Sequence, residues 1–94
     1  MLKIEQKNNI NFGEFFAEYD GEKAGSLRYD WINELSFNIN HTEVNPKFEG
    51  KGIGKHLVSA AVDYAREENR KIKATCPFAK AVLEKDEKSK DVYI

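Results

Sequence analysis

The segment "GKGIG", residues 50–54, contains half of the six glycines in the chain. It lies directly before a long stretch in which apolar residues recur with helical spacing. The first amides of a helix have no partner within the helix, and the helix dipole is positive at that end. An anion placed there can accept several hydrogen bonds, and glycines let it approach the backbone closely. The segment therefore predicts an anion-binding site.

Two familiar phosphate-binding loops do not fit this segment. The P-loop requires Gly-x-x-x-x-Gly-Lys-Ser/Thr, and the dinucleotide fingerprint requires Gly-x-Gly-x-x-Gly, whose third glycine comes one residue too early here. Lys51 and Lys55 add local positive charge, although the formal net charge of the chain is −1. That net charge gives no general attraction to nucleic acid or anionic membranes, so we expect neither as a partner.

Length and composition narrow the possible classes of protein. The 94 residues predict a single domain over residues 1–94. No apolar run approaches the roughly 20 residues of a membrane span, and the N-terminus has no signal-peptide pattern. The single cysteine, Cys76, excludes an internal disulfide and favours a cytoplasmic location. His41, His56 and Cys76 have no paired spacing, so we expect no metal site.

The first half of the chain predicts an antiparallel meander. The predicted strands cover residues 2–7, 12–19, 24–32 and 35–44. Gly21 lies in the turn between the second and third of these strands, where a positive φ is common. In the fourth strand, Leu35, Phe37 and Ile39 alternate with polar residues and are predicted to share one face.

The second half of the chain has a different pattern. Apolar spacing predicts a helix over residues 53–69, then a strand over 71–76 and a short helix over 77–86 that begins at Pro77. Strands 35–44 and 71–76 then lie parallel, joined by a right-handed crossover through the first helix. The predicted fold class is α+β with a mixed sheet. The charged run over residues 84–91 predicts a solvated helix end.

At this level of detail a family resemblance emerges. Residues 41–78, "HTEVNPKFEGKGIGKHLVSAAVDYAREENRKIKATCPF", resemble the coenzyme A-binding core of the GNAT N-acetyltransferase superfamily. More narrowly, they resemble its small single-domain members with Cys-Pro-Phe after the last core strand. The resemblance covers residues 35–83 best. It implies a minimal GNAT fold with splayed parallel strands, and acetyl transfer from acetyl-CoA to an amine: a protein side chain, a polyamine or a small amine.

The resemblance also implies where coenzyme A would bind. In the superfamily the loop follows the pattern Arg/Gln-x-x-Gly-x-Gly/Ala, and its amides hold the pyrophosphate. Gly52 and Gly54 match the two small positions, whereas Glu49 stands where Arg or Gln is expected. The strand before the loop offers backbone groups to the pantetheine arm. The implied binding residues are Thr42, Val44, Gly50, Lys51, Gly52, Ile53, Gly54 and Lys55.

Three side chains are candidates for the chemistry. The resemblance implies that the thioester lies between the ends of strands 35–44 and 71–76. His41 or Glu43 could remove the proton from the acceptor. Strict alternation places both on the face of Phe37, and because Val44 then falls out of phase we expect a bulge between about residues 40 and 44. Cys76, before a helix, could accept the acetyl group, donate a proton or simply pack.

Two other interpretations remain open. The chain could be a coenzyme A-binding module with little or no catalysis, since Glu49 places an acid near the expected pyrophosphate and the acceptor-side helices of larger relatives are missing. It could also be a small interaction domain with a vestigial loop. The sequence leaves the acceptor and the oligomeric state open.

Overall fold

The computed structural model describes all residues from Met1 to Ile94. One five-stranded sheet has its strands in sequence order, β1 to β5. Neighbouring strands from β1 to β4 are antiparallel, and β4 and β5 are parallel. The predicted α+β class with a mixed sheet is therefore confirmed. The elements are β1 Leu2–Asn8, β2 Phe12–Tyr19, β3 Glu22–Asn33, β4 Ser36–Val44, α1 Ile53–Glu67, β5 Lys71–Ala74 and α2 Pro77–Lys85, with short 3-10 helices at Pro46–Phe48 and Glu87–Ser89.

Both helices cover the same side of the sheet and create the core. Helix α1 contacts β2, β3, β4 and β5, and α2 contacts β4 and β5. The predicted helical periodicity of α1 is confirmed, because its apolar stripe is buried against the sheet. The buried residues of α1 are Ile53, Gly54, Leu57, Val58, Ala61, Val62 and Ala65. Neither helix is long and apolar enough to cross a membrane.

Three predicted details are wrong. Helix α1 ends at Glu67 rather than residue 69, because Asn69 has a φ of 57° and leaves the helical conformation. Strand β5 ends at Ala74, before Cys76. Leu35 lies in the β3–β4 turn and is exposed, so it does not share the buried face of Phe37. The charged run over residues 84–91 is exposed apart from Ser89, as predicted, and the chain beyond it returns to the sheet, since Val92 is buried and its carbonyl accepts from the amide of Ile72.

An aromatic cluster fills the core at the end of the sheet that carries the β1–β2 and β3–β4 turns. Its rings lie between 4.5 and 6.5 Å apart. At its centre, the hydroxyl of Tyr29 accepts from Gln6 at 2.7 Å and donates to Asn8 at 3.1 Å. Burial raises the pKa of Tyr29 to about 12, so the phenol stays protonated. The aromatic cluster consists of Phe15, Tyr29, Trp31, Phe37 and Tyr64.

We predict that Gly13→Ala destabilises the fold. A Cβ at this position would overlap the phenol ring of Tyr29, and that ring is held by the rest of the aromatic cluster. Overpacking of this kind costs about 1–3 kcal/mol, and each kcal/mol lowers the Tm of a domain this size by about 4–8 °C. Thermal denaturation checks this against Glu14→Ala, the next residue in β2. Equal Tm values for the two variants would contradict the packing described for Tyr29.

Candidate functional site

A bulge in β4 decides which side chains face the helices. Tyr29 pairs with Ile39, and Arg28 pairs with His41, so Asn40 has no partner in β3. The bulge predicted between about residues 40 and 44 is thus confirmed, at the start of that range. Asn40 turns its amide to the carboxylate of Asp30 instead. Because one extra residue reverses the alternation, the strand beyond residue 40 presents the opposite set of side chains to the core.

Thr42 and Val44 gain the helix-facing positions from this bulge. The side chain of Thr42 reaches the sulfur of Cys76, and a Val44 methyl lies beside Gly54 at the start of α1. His41 and Glu43 alternate with them and lie on the open face of the sheet. Strict alternation predicts that His41 and Glu43 share the face of Phe37. Because of the bulge, that prediction is wrong.

Strands β4 and β5 separate beyond Ile39. They pair only from Ser36 to Ile39, and the carbonyl of Ile39 accepts from the amides of Thr75 and Cys76 at 3.0 and 3.1 Å. The chain then turns into α2, while β4 continues to Val44. A cleft opens between residues 42–44 of β4 and the first turn of α2. We call it the strand cleft.

Cys76 lies in the strand cleft at the N-cap of α2. Its Sγ donates to Oγ1 of Thr42 at 3.4 Å, and the backbone groups of Ala79, Phe78 and Thr42 act to lower its pKa. Burial is the largest single influence on this thiol, and it raises the pKa. The hydrogen bonds from Thr42, Ala79 and Phe78 together outweigh burial, so the pKa is lowered from its ordinary value. The site thus stabilises a thiolate.

We predict that Thr42→Val raises the pKa of Cys76. Valine removes the hydroxyl that can donate to a thiolate, while it keeps the branched shape of the side chain. The rate of Cys76 alkylation by iodoacetamide at pH 7 should fall several-fold, and the midpoint of its pH dependence should rise. Thr75→Val is the matched control, because the Thr75 hydroxyl accepts from Asn38 and not from Cys76. Identical pH profiles for wild type and Thr42→Val would refute this role of the hydroxyl.

His41 and Glu43 form a separate, exposed pair. Nε2 of His41 lies 3.8 Å from Oε2 of Glu43, and their side chains are 62% and 70% exposed. Strand β4 lies between them and the helix-facing thiol of Cys76. The structure therefore brings His41 and Glu43 together but does not join them to Cys76 in one hydrogen-bonded group.

The glycine-rich loop exposes a row of backbone donors. Gly50 and Gly52 have φ values of 84° and 72°, in the left-handed region that glycine adopts most easily. Gly52 is the N-cap of α1, and no side chain caps this helix. The first amide bonded along α1 is that of His56, to the carbonyl of Gly52 at 3.0 Å. The amides without a hydrogen-bond partner, which we call the amide cradle, belong to Gly50, Gly52, Ile53, Gly54 and Lys55.

Gly54 also has a packing role that its spacing does not reveal. A Cβ on Gly54 would lie 2.6 Å from the ring of Phe78 in α2 and 3.5 Å from a methyl of Val44. The start of α1 therefore approaches both α2 and the end of β4 only because residue 54 has no side chain. This contact places the amide cradle at the mouth of the strand cleft.

The charged side chains around the loop differ in their surroundings. Nζ of Lys51 lies 4.9 Å from the ring centroid of Tyr19. Glu49 is exposed at the end of the short helix Pro46–Phe48, which is anchored by the buried Phe48. Lys55 borders a groove between α1 and α2.

This α1–α2 groove was not predicted from the sequence. It has a volume of about 610 Å³ and combines apolar residues with a lysine from each helix, Lys55 and Lys85, and with one acid, Asp86. The spacing of Lys55, Val58, Ser59 and Val62 along α1 could have indicated such a stripe, but only the structure shows that α2 faces it. The apolar residues of the groove are Val58, Val62, Phe78, Ala81 and Val82.

Together these features define a class of protein. An antiparallel meander, a splayed parallel strand pair and a glycine-rich loop at the strand–helix junction define a GNAT-type acyltransferase fold. The chain belongs to the family of GCN5-related N-acetyltransferases, whose family model matches residues 14–92. The predicted family is confirmed.

Individual relatives agree with this assignment. The solution structure of a GCN5-like protein from Staphylococcus aureus is 37% identical, with a TM-score of 0.73 over 96% of this chain and 87% of that one. Protein NATD1 from Xenopus tropicalis is 42% identical over 50 residues, 53% of this chain and 46% of NATD1. The match thus spans about half the length of this curated relative. The aminoglycoside N-acetyltransferase AAC(6')-Iy, in complex with CoA, shares the fold at 15% identity and a TM-score of 0.67, over 89% of this chain and 85% of that one.

Proposed function

We propose that this chain transfers the acetyl group of acetyl-CoA to an amine. The observation that carries the proposal is the amide cradle, since unpaired amides at a helix N-terminus suit a pyrophosphate. The cradle opens beside the strand cleft, which holds a thiol with a lowered pKa. The complex of AAC(6')-Iy with CoA supports this choice of donor, because the two proteins share a fold.

Each part of acetyl-CoA, the acetyl donor, has a matching region in the site. The amide cradle takes the pyrophosphate, and the backbone of Thr42 and Val44 borders the pantetheine arm. The amide of Asn45 bonds to Ala24 of β3, so the alternate residues Val44 and Thr42 turn their backbone groups towards the strand cleft. The α1–α2 groove suits the adenosine end, with Lys55 and Lys85 available to its phosphate.

The residues of the strand cleft suggest a two-step transfer. In the first step the thiolate of Cys76 attacks the thioester carbonyl, a new sulfur–carbon bond forms, and CoA leaves as its thiolate. In the second step the acceptor amine attacks the acetyl-Cys76 thioester, and Cys76 leaves as a thiolate. Because β4 separates them from Cys76, His41 and Glu43 take the proton that the acceptor ammonium must lose through water, from the open face of the sheet. The open face has room for a protein side chain, a polyamine or a small amine.

A coenzyme A-binding module with little catalysis is the second candidate. The separation of His41 and Glu43 from Cys76 by β4 favours it, because no base contacts the thiol directly. Glu49 beside the loop favours weaker binding of an anionic ligand.

Thermal denaturation with CoA tests the shared part of both candidates. A ligand at 100 times its Kd stabilises the native state by about 2.7 kcal/mol, which corresponds to roughly 10 °C or more for a domain this size. Adenosine alone, which lacks the pyrophosphate, is the control and should give a much smaller shift. An unchanged Tm with saturating CoA would exclude both candidates. A clear shift without acetylation of spermidine or a lysine peptide would favour the binding module.

A further inference from the structure

A second depression lies at the opposite end of α1. The β1–β2 turn, the β3–β4 turn and the residues after α1 meet there around a depression of about 530 Å³. Helix α1 has 15 residues, so the amide cradle is about 22 Å away along its axis. No residue of the proposed transferase site lines this depression, which we call the distal pocket. The residues that matter here are Ile10, Trp31, Ile32, Glu34 and Arg70.

Arg70 provides the distal pocket with a cation that the protein leaves unneutralised. Its guanidinium lies 5.9 Å from the ring centroid of Trp31, and Nη1 donates to the carbonyl of Glu68 at 2.9 Å. Nε is shielded from solvent and has no hydrogen-bond partner. By contrast, Arg66 is paired with Asp91 through two hydrogen bonds of 2.8 and 2.9 Å.

The position of Arg70 is fixed by the backbone. Asn69 has a φ of 57°, and the amide of Arg70 bonds to the carbonyl of Ala65 at 2.8 Å. This helix-ending motif directs the side chain across Trp31. A guanidinium held in place by a carbonyl and a ring has lost much of its conformational freedom, so binding an anion costs it little further entropy.

Exposed apolar side chains lie beside this cation. Ile10, at the tip of the β1–β2 turn, is 89% exposed, and Ile32, at the end of β3, is 49% exposed. Both line the distal pocket with the half-buried Trp31. Arginine and tryptophan are enriched where proteins bind one another, and exposed apolar side chains rimmed by polar ones, here three asparagines, mark such sites.

We propose that the distal pocket binds a polypeptide segment of a partner protein that carries one carboxylate next to a bulky apolar side chain. The carboxylate pairs with the free donors of Arg70, and the apolar side chain covers Ile10 and Ile32. Charge complementarity limits the partner to one anionic group, because Glu34 on the rim repels a second. A nucleic acid, with its row of phosphates, does not match a single arginine beside an acid. The proposal does not depend on the transferase function.

The single tryptophan of the chain reports on this site directly. We would titrate the protein with the peptide acetyl-Ile-Glu-Phe-amide and follow the fluorescence of Trp31. We expect a saturable change, and about tenfold weaker binding of acetyl-Ile-Gln-Phe-amide, which differs only in its charge. This comparison uses the wild-type protein alone, so it is independent of the folding of any variant.

Variants locate the binding site. Arg70→Gln should weaken binding of the Glu peptide about tenfold, and Arg70→Lys should restore only part of it, because lysine lacks the planar fork. Lys73→Gln, an exposed cation of β5 outside the distal pocket, is the control and should have no effect. Three results would overturn the proposal: no saturable signal, equal affinity for the two peptides, or a fluorescence change that depends on protein concentration and indicates a second copy of this chain. Saturating CoA should leave the peptide affinity unchanged.

Discussion

Replacing Gly52 with valine is expected to weaken CoA binding at least about 100-fold. Gly52 has a φ of 72° and caps α1, and a β-branched residue at that φ is strongly disfavoured. The loop must change its conformation to relieve the strain, so the amides of the cradle no longer converge. Hydrogen bonds to charged groups contribute about 1.5–3 kcal/mol each, and the loss of two of them already corresponds to about 100-fold in Kd. Calorimetric titration with CoA measures this effect.

Gly21→Val is the matched control for the Gly52 variant. Gly21 has a φ of 83° in the turn between β2 and β3, and a Cβ there would meet no neighbouring atom, as is nearly so for Gly52. Both variants therefore carry the backbone strain of a side chain at positive φ, but only Gly52→Val disturbs the amide cradle. The control should bind CoA as wild type does. If Gly52→Val bound CoA normally, or if both variants lost affinity equally, the cradle would not be the pyrophosphate site.

The glycine-rich loop was predictable because its signal is local. Alternating glycines before a helical pattern specify both the positive φ of Gly50 and Gly52 and the unpaired amides that follow. The role of Gly54 was only partly predictable. Its small size was evident from the spacing, but its contact with Phe78 depends on how α2 packs against α1, which no local pattern encodes.

Strand β4 shows how much the alternation of apolar and polar residues can predict about which way side chains face. Val44 out of phase with Phe37 predicted a bulge, and the bulge occurs at Asn40. Its consequence, that Thr42 faces Cys76 while His41 faces away, followed only from the exact position of the extra residue. A bulge at residue 42 or beyond, still within the predicted range, would have left His41 on the face of Phe37. The composition of the site therefore could not be read from the strand alone.

Features formed by segments far apart in the sequence could not be predicted from local patterns. The α1–α2 groove needs the packing angle of two helices, and the distal pocket joins two turns with the end of α1. The charged tail was expected to be solvated, because its composition is polar. Residues 84–91 are indeed exposed apart from Ser89, but the pairing of Arg66 with Asp91 and the return of Val92 to the edge of β5 are long-range contacts that this composition does not encode.

Replacing Cys76 with serine is expected to abolish acetylation of the protein by acetyl-CoA and to lower the rate of acetyl transfer about 100-fold or more. Serine is a favoured N-cap residue of similar size, so α2 should remain intact. Its hydroxyl does not ionise near neutral pH, whereas the Cys76 thiol has a lowered pKa in hydrogen bonds from Thr42 and from the amides of α2. Intact-protein mass spectrometry after incubation with acetyl-CoA, and the steady-state transfer rate, measure the two effects. CoA affinity should change little, because the amide cradle is untouched.

A second variant separates the two proposed steps. His41→Gln combined with Glu43→Gln removes the base on the open face but leaves the surroundings of Cys76 intact. Acetyl-Cys76 should then still form and persist, because the acceptor amine keeps its proton, while the overall rate falls by about 100-fold. If Cys76→Ser transferred acetyl groups as fast as wild type, the covalent step would be wrong. If the His41 and Glu43 variant failed to form acetyl-Cys76, the pair would act on the thiol, and the division of roles across β4 would have to be abandoned.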